Sequence, residues 1–364
     1  MKTVTIKIGS SIIAPEGKVD SALVTRIVKD ICRVESLGFR PVLVSSGAIA
    51  CGLNILGYRR KPKDMHSLMA ISAIGQIALM DVFNAKFKKY NKRCAQILLT
   101  WDDFDIRSRF INIRKTLEKL LKIGIIPVIN ENDVVSYEEI RLGDNDRLSS
   151  LVADLIGSDK LIILSDVKGL LKGGRVVQEV KLIDKDIVSL ARKEDKVHTS
   201  GGMLTKLEAA RLATSSGIKT VIAYGRKKNV ISDILKGKNI GSVFLSQGKK
   251  ERARKRWISN KLMRGKLCID NGAKTALLDR GKSLLNVGVT EVEGPFKKGD
   301  AVAVIDEEGN YLGCGLVNYS YEELKGSGRK KLAQEVVHRD NFVKASQGWC
   351  YYSHLQNRKA DSKG

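Results

Sequence analysis

The chain has 364 residues, and its 64 Lys+Arg against 40 Asp+Glu leave a formal net charge of +24 with histidine neutral. With 43% apolar and 29% charged residues, the composition excludes a mainly disordered, collagenous or low-complexity chain. At roughly 150 residues per domain the length suggests about two domains. The positive charge alone suits RNA, anionic lipid, anionic small substrates or no specific partner. No apolar run approaches the about 18 residues of a membrane span, so no membrane is expected. Met1 to Lys7 lacks an apolar signal-peptide core, which makes the cytoplasm the expected location. Six cysteines stand far apart, at 32, 51, 94, 268, 314 and 350, without a Cys-x-x-Cys pair. They read as reduced, small buried hydrophobes rather than a metal or redox motif.

The first 250 residues alternate strand and helix signals. Val4, Ile6 and Ile8 alternate with polar residues and predict a strand. Asp20 predicts the cap of a helix with Leu23, Ile27, Ile31 and Val34 on its apolar face, ended by Gly38. Residues 41–44 predict a strand, 67–90 a long helix and 95–99 a third strand. Phe110, Ile113, Leu117, Leu120 and Leu121 share a helical face closed by Gly124, followed by a buried strand over 125–129. Leu148, Leu151, Val152, Leu155 and Ile156 mark a helix stopped at Gly157, and 161–164 is a short apolar strand. Residues 203–216 predict a helix and 220–223 a strand. This βα repetition predicts an α/β fold, a mainly parallel sheet sandwiched by helices, for a domain of residues 1–250.

The pattern changes near residue 249. Nine Lys/Arg and one acid, Glu251, fall between Lys249 and Lys266, and 251–265 reads as a basic linker. Short β-like runs follow: Val287 to Thr290, Ala301 to Ile305, and Tyr311 to Val317, with a hairpin signal at Glu308-Gly309-Asn310. A small β-rich domain over 266–350 and a polar tail over 351–364 are expected.

In an open α/β sheet, ligands bind beyond the carboxyl ends of the strands. That rule singles out Gly9-Ser10-Ser11, Ser45-Ser46-Gly47-Ala48, Asn130-Glu131-Asn132-Asp133, Gly143-Asp144-Asn145-Asp146, Ser165-Asp166 and Ser200 to Lys206. Ser46-Gly47-Ala48 and Ser200-Gly201-Gly202 place small residues at helix starts suited to phosphate or carboxylate. Each alone reads equally as a cap or turn. Neither a P-loop nor a Gly-x-Gly-x-x-Gly fingerprint occurs. Lys7 ends an expected central strand, where an unpaired ammonium is costly unless it meets an anion. Lys206, one turn into its helix, points a second cation at the same edge. Asp144 and Asp146 suit pairing with those lysines, holding Mg²⁺, or capping a helix. Two lysines bracketing a phosphate are what phosphoryl transfer requires.

Taken together, Lys7-Ile-Gly-Ser-Ser, Val44-Ser-Ser-Gly-Ala-Ile-Ala, Pro127-Val-Ile-Asn-Glu-Asn-Asp, Gly143-Asp-Asn-Asp and Gly201-Gly-Met-x-Thr-Lys206 occur in the order seen in the glutamate 5-kinase family, which the chain resembles over nearly its whole length. The closing domain resembles a PUA domain, and Val337-His338-Arg339-Asp340 resembles the family's C-terminal segment. The resemblance implies transfer of the ATP γ-phosphate to the side-chain carboxylate of L-glutamate, the first step towards proline. It implies that Lys7 and Lys206 stabilise the phosphoryl group and that Asp146 orients them. Ser46, Gly47, Asn130, Asp133, Asp144 and Asn145 would hold glutamate. Lys7, Gly9, Ser165, Asp166, Ser200, Gly201, Gly202, Met203, Leu204, Thr205 and Lys206 would line the ATP. Mg²⁺ with unassigned ligands, inhibition by proline, a homo-oligomer and a downstream glutamyl phosphate reductase complete what it implies.

Three departures stand out. Gly9-Ser10-Ser11 and Ser165-Asp166 carry serine where the family commonly has threonine. The stretch Leu170 to Gly174 is a short, basic loop. Arg147, bulkier and more charged than the family's usual residue, reads as a surface feature. Two alternatives remain at this level: a related kinase with another acceptor, and an RNA-binding role for the second domain. The basic run carries a single aromatic, Trp257, which leaves little stacking platform for RNA.

Overall fold

The computed structural model describes residues 1–15, 18–58, 60–135, 145–194, 202–246, 255, 258, 261 and 263–345. Asp144, Ser200, Gly201, most of the basic run and the expected tail lie outside them. The chain divides into two compact units, Met1–Lys249 and Lys250–Gly364.

The first unit is built on an eight-stranded sheet, in the order β3-β4-β2-β1-β5-β9-β10-β8. Its strands are β1 (Lys2–Ile8), β2 (Phe39–Ser45), β3 (Arg93–Leu99), β4 (Ile125–Glu131), β5 (Lys160–Ser165), β8 (Glu179–Val180), β9 (Lys219–Tyr224) and β10 (Ser242–Phe244). The six strands from β3 to β9 in that order are parallel. β10 runs antiparallel to β9. Strand alternation decides what each face carries. Val4, Ile6 and Ile8 enter an apolar cluster with Leu23, Ile27 and Ile31 of the helix Ser21–Arg33, Phe83 and Phe87, and Val230, Ile231 and Ile234. Thr5 and Lys7 therefore face the opposite side, where the helix Asp146–Leu155 packs on β1 and the helix Met203–Ser215 packs on it in turn. β1 is an internal strand, so Lys7 is only 3% exposed.

The helix Ser21–Arg33 starts as expected, with the Asp20 carboxylate accepting from Leu23 N–H at 2.9 Å. A 3-10 turn, Glu35–Leu37, then ends at Gly38 with φ +84°, the left-handed geometry that favours glycine. The helix Arg107–Lys122 fully buries only Leu117 of its expected apolar face. The helix packs on β4, next to the sheet edge, and the other four residues of that face are half-buried. Leu170 to Gly174 is no loop: β6 (Leu171–Lys172) and β7 (Arg175–Val176) form a hairpin. Its turn residues Gly173 and Gly174 both have positive φ, as a two-residue hairpin turn requires.

The helix Met65–Lys88 is long and apolar enough, by length and composition, to cross a membrane, contrary to the sequence expectation. It packs as a core helix against the helix Ala48–Ile55, with backbones meeting at Gly52 and Gly75.

The second unit holds a five-stranded sheet, β12-β11-β13-β14-β15, formed by β11 (Met263–Ile269), β12 (Val289–Glu293), β13 (Ala301–Asp306), β14 (Tyr311–Val317) and β15 (Val337–Lys344). Residues 286–288 form a 3-10 turn before β12, so the expected strand over 287–290 starts two residues late. Two helices went unread. Asn271–Leu278 is capped by Asp270, and Tyr321–Ser327 opens on a capping box between Ser320 and Glu323. Leu267, Ile269, Val302, Val304, Phe296 and Phe342 share the core.

Cys51, Cys268 and Cys314 are buried, and Cys32 and Cys94 half-buried, all as free thiols. Burial pushes the Cys32 and Cys51 thiols up to about 11, which keeps them protonated and unreactive near neutral pH. Cys350 lies outside the described residues.

Candidate active site

The centre of the site is a buried carboxylate held between two ammonium groups. Asp146 is fully buried. Its Oδ1 lies 2.5 Å from Lys7 Nζ and its Oδ2 3.3 Å from Lys206 Nζ. Thr205 donates a hydroxyl hydrogen bond to Oδ2 at 3.4 Å. Lys206 is 6% exposed. Sequence separations of 139 and 60 residues close at one point, because β1 and two helix starts converge at the carboxyl edge of the sheet. One carboxylate between two lysines leaves a net positive charge, which suits an anion that is more negative in the transition state.

Asn145 occupies the N-cap position of its helix, yet its side chain makes no capping hydrogen bond. Its Nδ2 instead donates to Ser45 O and Asn130 Oδ1, both at 2.6 Å. Of the alternatives open for Asp146, the structure shows pairing with both lysines. Asn130 in turn donates to Gln76 Oε1 at 2.7 Å, and Ser72 Oγ donates to Asp133 Oδ2. This network joins β2, β4, the Asp146 helix and the long helix Met65–Lys88.

Ser72 and Gln76 were missed by sequence reasoning. A signal existed: both are polar, four residues apart, and lie within the buried face set by Leu68, Ile71, Gly75 and Leu79. A polar pair inside an apolar stripe calls for a partner.

The remaining residues line the same strand ends. Gly9 N–H donates to Leu164 O at 3.1 Å, and Ser46 N–H to Ile8 O at 3.2 Å. Gly47 starts the helix Ala48–Ile55 with φ +111°. Ser165 is buried and donates to Asp166 Oδ1 at 2.9 Å. Gly202 precedes Met203, and Thr205 Oγ1 also bonds Gly202 O at 2.9 Å. Met203 is buried and Leu204 half-buried, so their side chains serve packing while their backbone opens the helix.

Arg147 is no surface residue. It is 9% exposed, its Nη1 donates to Glu208 Oε1 at 3.1 Å, and its guanidinium lies 5.0 Å from the Trp101 ring centroid. The helix packing that buries Asp146 carries its neighbour inward as well.

Among the described residues, no group of three or more His, Cys, Asp or Glu side chains could hold a metal ion.

Known proteins resemble this chain along nearly its whole length. The profile of the amino acid kinase family matches residues 2–224, and that of the PUA domain residues 265–339. A glutamate 5-kinase from Caldanaerobacter subterraneus subsp. tengcongensis is 40% identical over 96% of this chain and 99% of its own. One from Syntrophotalea carbinolica is 42% identical over 94% and 97%. The solved carbamate kinase from Giardia lamblia bound to AMP-PNP is 21% identical, with a TM-score of 0.48, over 68% of this chain and 99% of that one. A family match over more than half the chain, together with near-full-length relatives at this identity, settles the lineage: the chain belongs to the amino acid kinase family, on its glutamate 5-kinase branch.

Proposed function

We propose that this chain transfers the γ-phosphate of ATP to the side-chain carboxylate of L-glutamate, giving γ-glutamyl phosphate and ADP. The observation that carries the reading is the pair of buried lysines shared by both oxygens of Asp146. Glutamate's side chain is already ionised at neutral pH, so the reaction needs no general base, and no histidine stands among the site residues. What it needs is to bring two anions together and to stabilise the charge on the transferring group. Lys7 and Lys206 meet that group. Asp146 sets their direction without cancelling both charges.

Ser46 and Gly47, at the start of the helix Ala48–Ile55, suit an anionic group of glutamate. Asp133 suits its ammonium, with Asp144 as a second carboxylate, while Asn130 and Asn145, bonded to each other at 2.6 Å, suit further contacts to glutamate. Gly9, Ser165, Asp166 and the segment from Ser200 to Lys206 run along the nucleotide. Mg²⁺ bound to the ATP phosphates would neutralise part of their charge. The same reading brings proline as feedback inhibitor, a cytoplasmic setting and a reductase that consumes the labile acyl phosphate. It also brings a homo-oligomer. The first unit is read as the kinase domain over 1–250 and the second as the PUA-like domain over 266–350, while the expected linker over 251–265 overlaps β11, which starts at Met263, and contains Ile258, buried in the second unit.

The test is direct. The purified protein should release ADP from Mg-ATP only with L-glutamate present, and hydroxylamine should trap γ-glutamyl hydroxamate. Equal turnover with N-acetylglutamate or aspartate, and none with glutamate, would reject this acceptor. Asp133→Ala should raise the KM for glutamate about 10- to 100-fold, the weight of one hydrogen bond to a charged group, and leave kcat within a few-fold. Loss of kcat at unchanged KM would mean that Asp133 acts in the transition state instead.

A further inference from the structure

We propose that Arg147 is a positioning residue: by pairing with Glu208 and lying against Trp101, it locks the helix that carries Asp146 to the helix that carries Lys206. The proposal rests on the roles given above to Asp146 and the two lysines.

Among the described residues, two ion-pair crossbars run between the helices Asp146–Leu155 and Met203–Ser215, beside the contact of the Thr205 hydroxyl with Asp146. One runs from Asp146 to Lys206, at 3.3 Å. The other runs from Arg147 to Glu208, at 3.1 Å, with side chains 10% and 14% exposed. The crossbars are offset by one residue on the first helix and two on the second, so both lie at the same level. Residues one or two apart on a helix do not share a direction. Asp146 and Lys206 can therefore face the reacting group while Arg147 and Glu208 close on each other beside them.

The crossbars differ in what substrate asks of them. Lys206 shares its charge between the carboxylate that orients it and an incoming phosphoryl group, so its own ion pair holds the helices less firmly during the reaction. Arg147 and Glu208 have no such duty. Trp101 adds a third anchor. It is 7% exposed and follows β3, and its ring lies 5.0 Å from the guanidinium carbon. A planar guanidinium can meet an aromatic ring and a carboxylate together, whereas an ammonium is a point charge. Burying this pair carries a desolvation cost that a hydrophobic pair would avoid, and fixing the register of two catalytic helices is a return that hydrophobic packing supplies less specifically.

The experiment compares Arg147→Met, Glu208→Gln, the double variant and Arg147→Lys, assayed below each variant's melting temperature, with Lys206→Ala alongside. Arg147→Met and Glu208→Gln should each lower kcat about tenfold, with the glutamate KM changed by less than about twofold. The double variant should be no slower than the worse single variant, because both changes cut one crossbar. Arg147→Lys should recover part of the loss, keeping the charge but not the planar contact. Glu208→Gln keeps size and shape, so the comparison survives if Arg147→Met does not fold. Single variants that turn over like the parent, whatever their melting temperatures, would overturn the proposal, as would single losses that multiply in the double variant. Lys206→Ala with unaltered kcat would instead reject the reading of the site on which the proposal rests.

Discussion

Lys206→Ala is expected to lower kcat at least about a hundredfold, which is roughly 2.7 kcal/mol of barrier, and Lys7→Ala is expected to do the same. Each ammonium lies against one oxygen of the same buried carboxylate, and an incoming phosphoryl group would compete with that carboxylate for both. Losing either lysine removes a charge that acts most strongly when the phosphoryl oxygens carry most charge, so kcat should fall more than KM rises. Stability should respond differently. Either single substitution leaves Asp146 with the other lysine. Asp146→Ala leaves two buried ammonium groups without it, and breaking a buried pair costs about 3–5 kcal/mol. The lysine variants should therefore be folded and slow, and the aspartate variant both slow and less stable. Steady-state rates and thermal melts on the same preparations separate the two effects. A lysine variant that melts early yet turns over normally would make the cluster a structural ion pair.

Gly75→Ala should be the most damaging small change in the first unit. A Cβ at Gly75 would stand 1.9 Å from Ala48 O and 2.4 Å from Gly52 N, and a Cβ at Gly52 would stand 2.0 Å from Ile71 O. These obstacles are backbone atoms, so no side chain can rotate away. The helices must separate, and overpacking of this kind costs about 3 kcal/mol or more at the upper end of its range. In a unit of this size that corresponds to a fall in Tm of about 6–12 °C. Activity should suffer too, since one helix begins just after Ser46-Gly47 and the other carries Ser72 and Gln76. Ile77→Ala is the control, because Ile77 is 69% exposed on the same helix and should change Tm little. A Gly75→Ala protein that melts with its parent would mean that the two helices do not meet backbone to backbone.

Lys7, Asp146 and Lys206 were legible in the linear chain because each stands where local rules put chemistry. Lys7 ends a strand whose alternation is plain in Val4, Ile6 and Ile8, and Asp146 and Lys206 open helices with clear apolar faces. The parallel sheet was legible for the same reason, since period and length separate strands from helices without knowledge of their neighbours. The short strands β8 and β10 were not, because two or three residues hold no period and their pairing depends on the sheet already present. Arg147 was misread because charge predicts exposure only for an isolated side chain. Its burial is decided by Glu208 and Trp101, partners 61 and 46 residues away. Ser72 and Gln76 stand out as a polar pair in an apolar stripe, but only the fold names their partners, Asp133 and Asn130. The sequence by itself determined the parallel sheet and the strand and helix ends on which Lys7, Asp146 and Lys206 stand, through local period and motif order. Only the tertiary structure decided which polar side chains are taken out of water together, since desolvation and pairing depend on atoms brought close in space rather than along the chain.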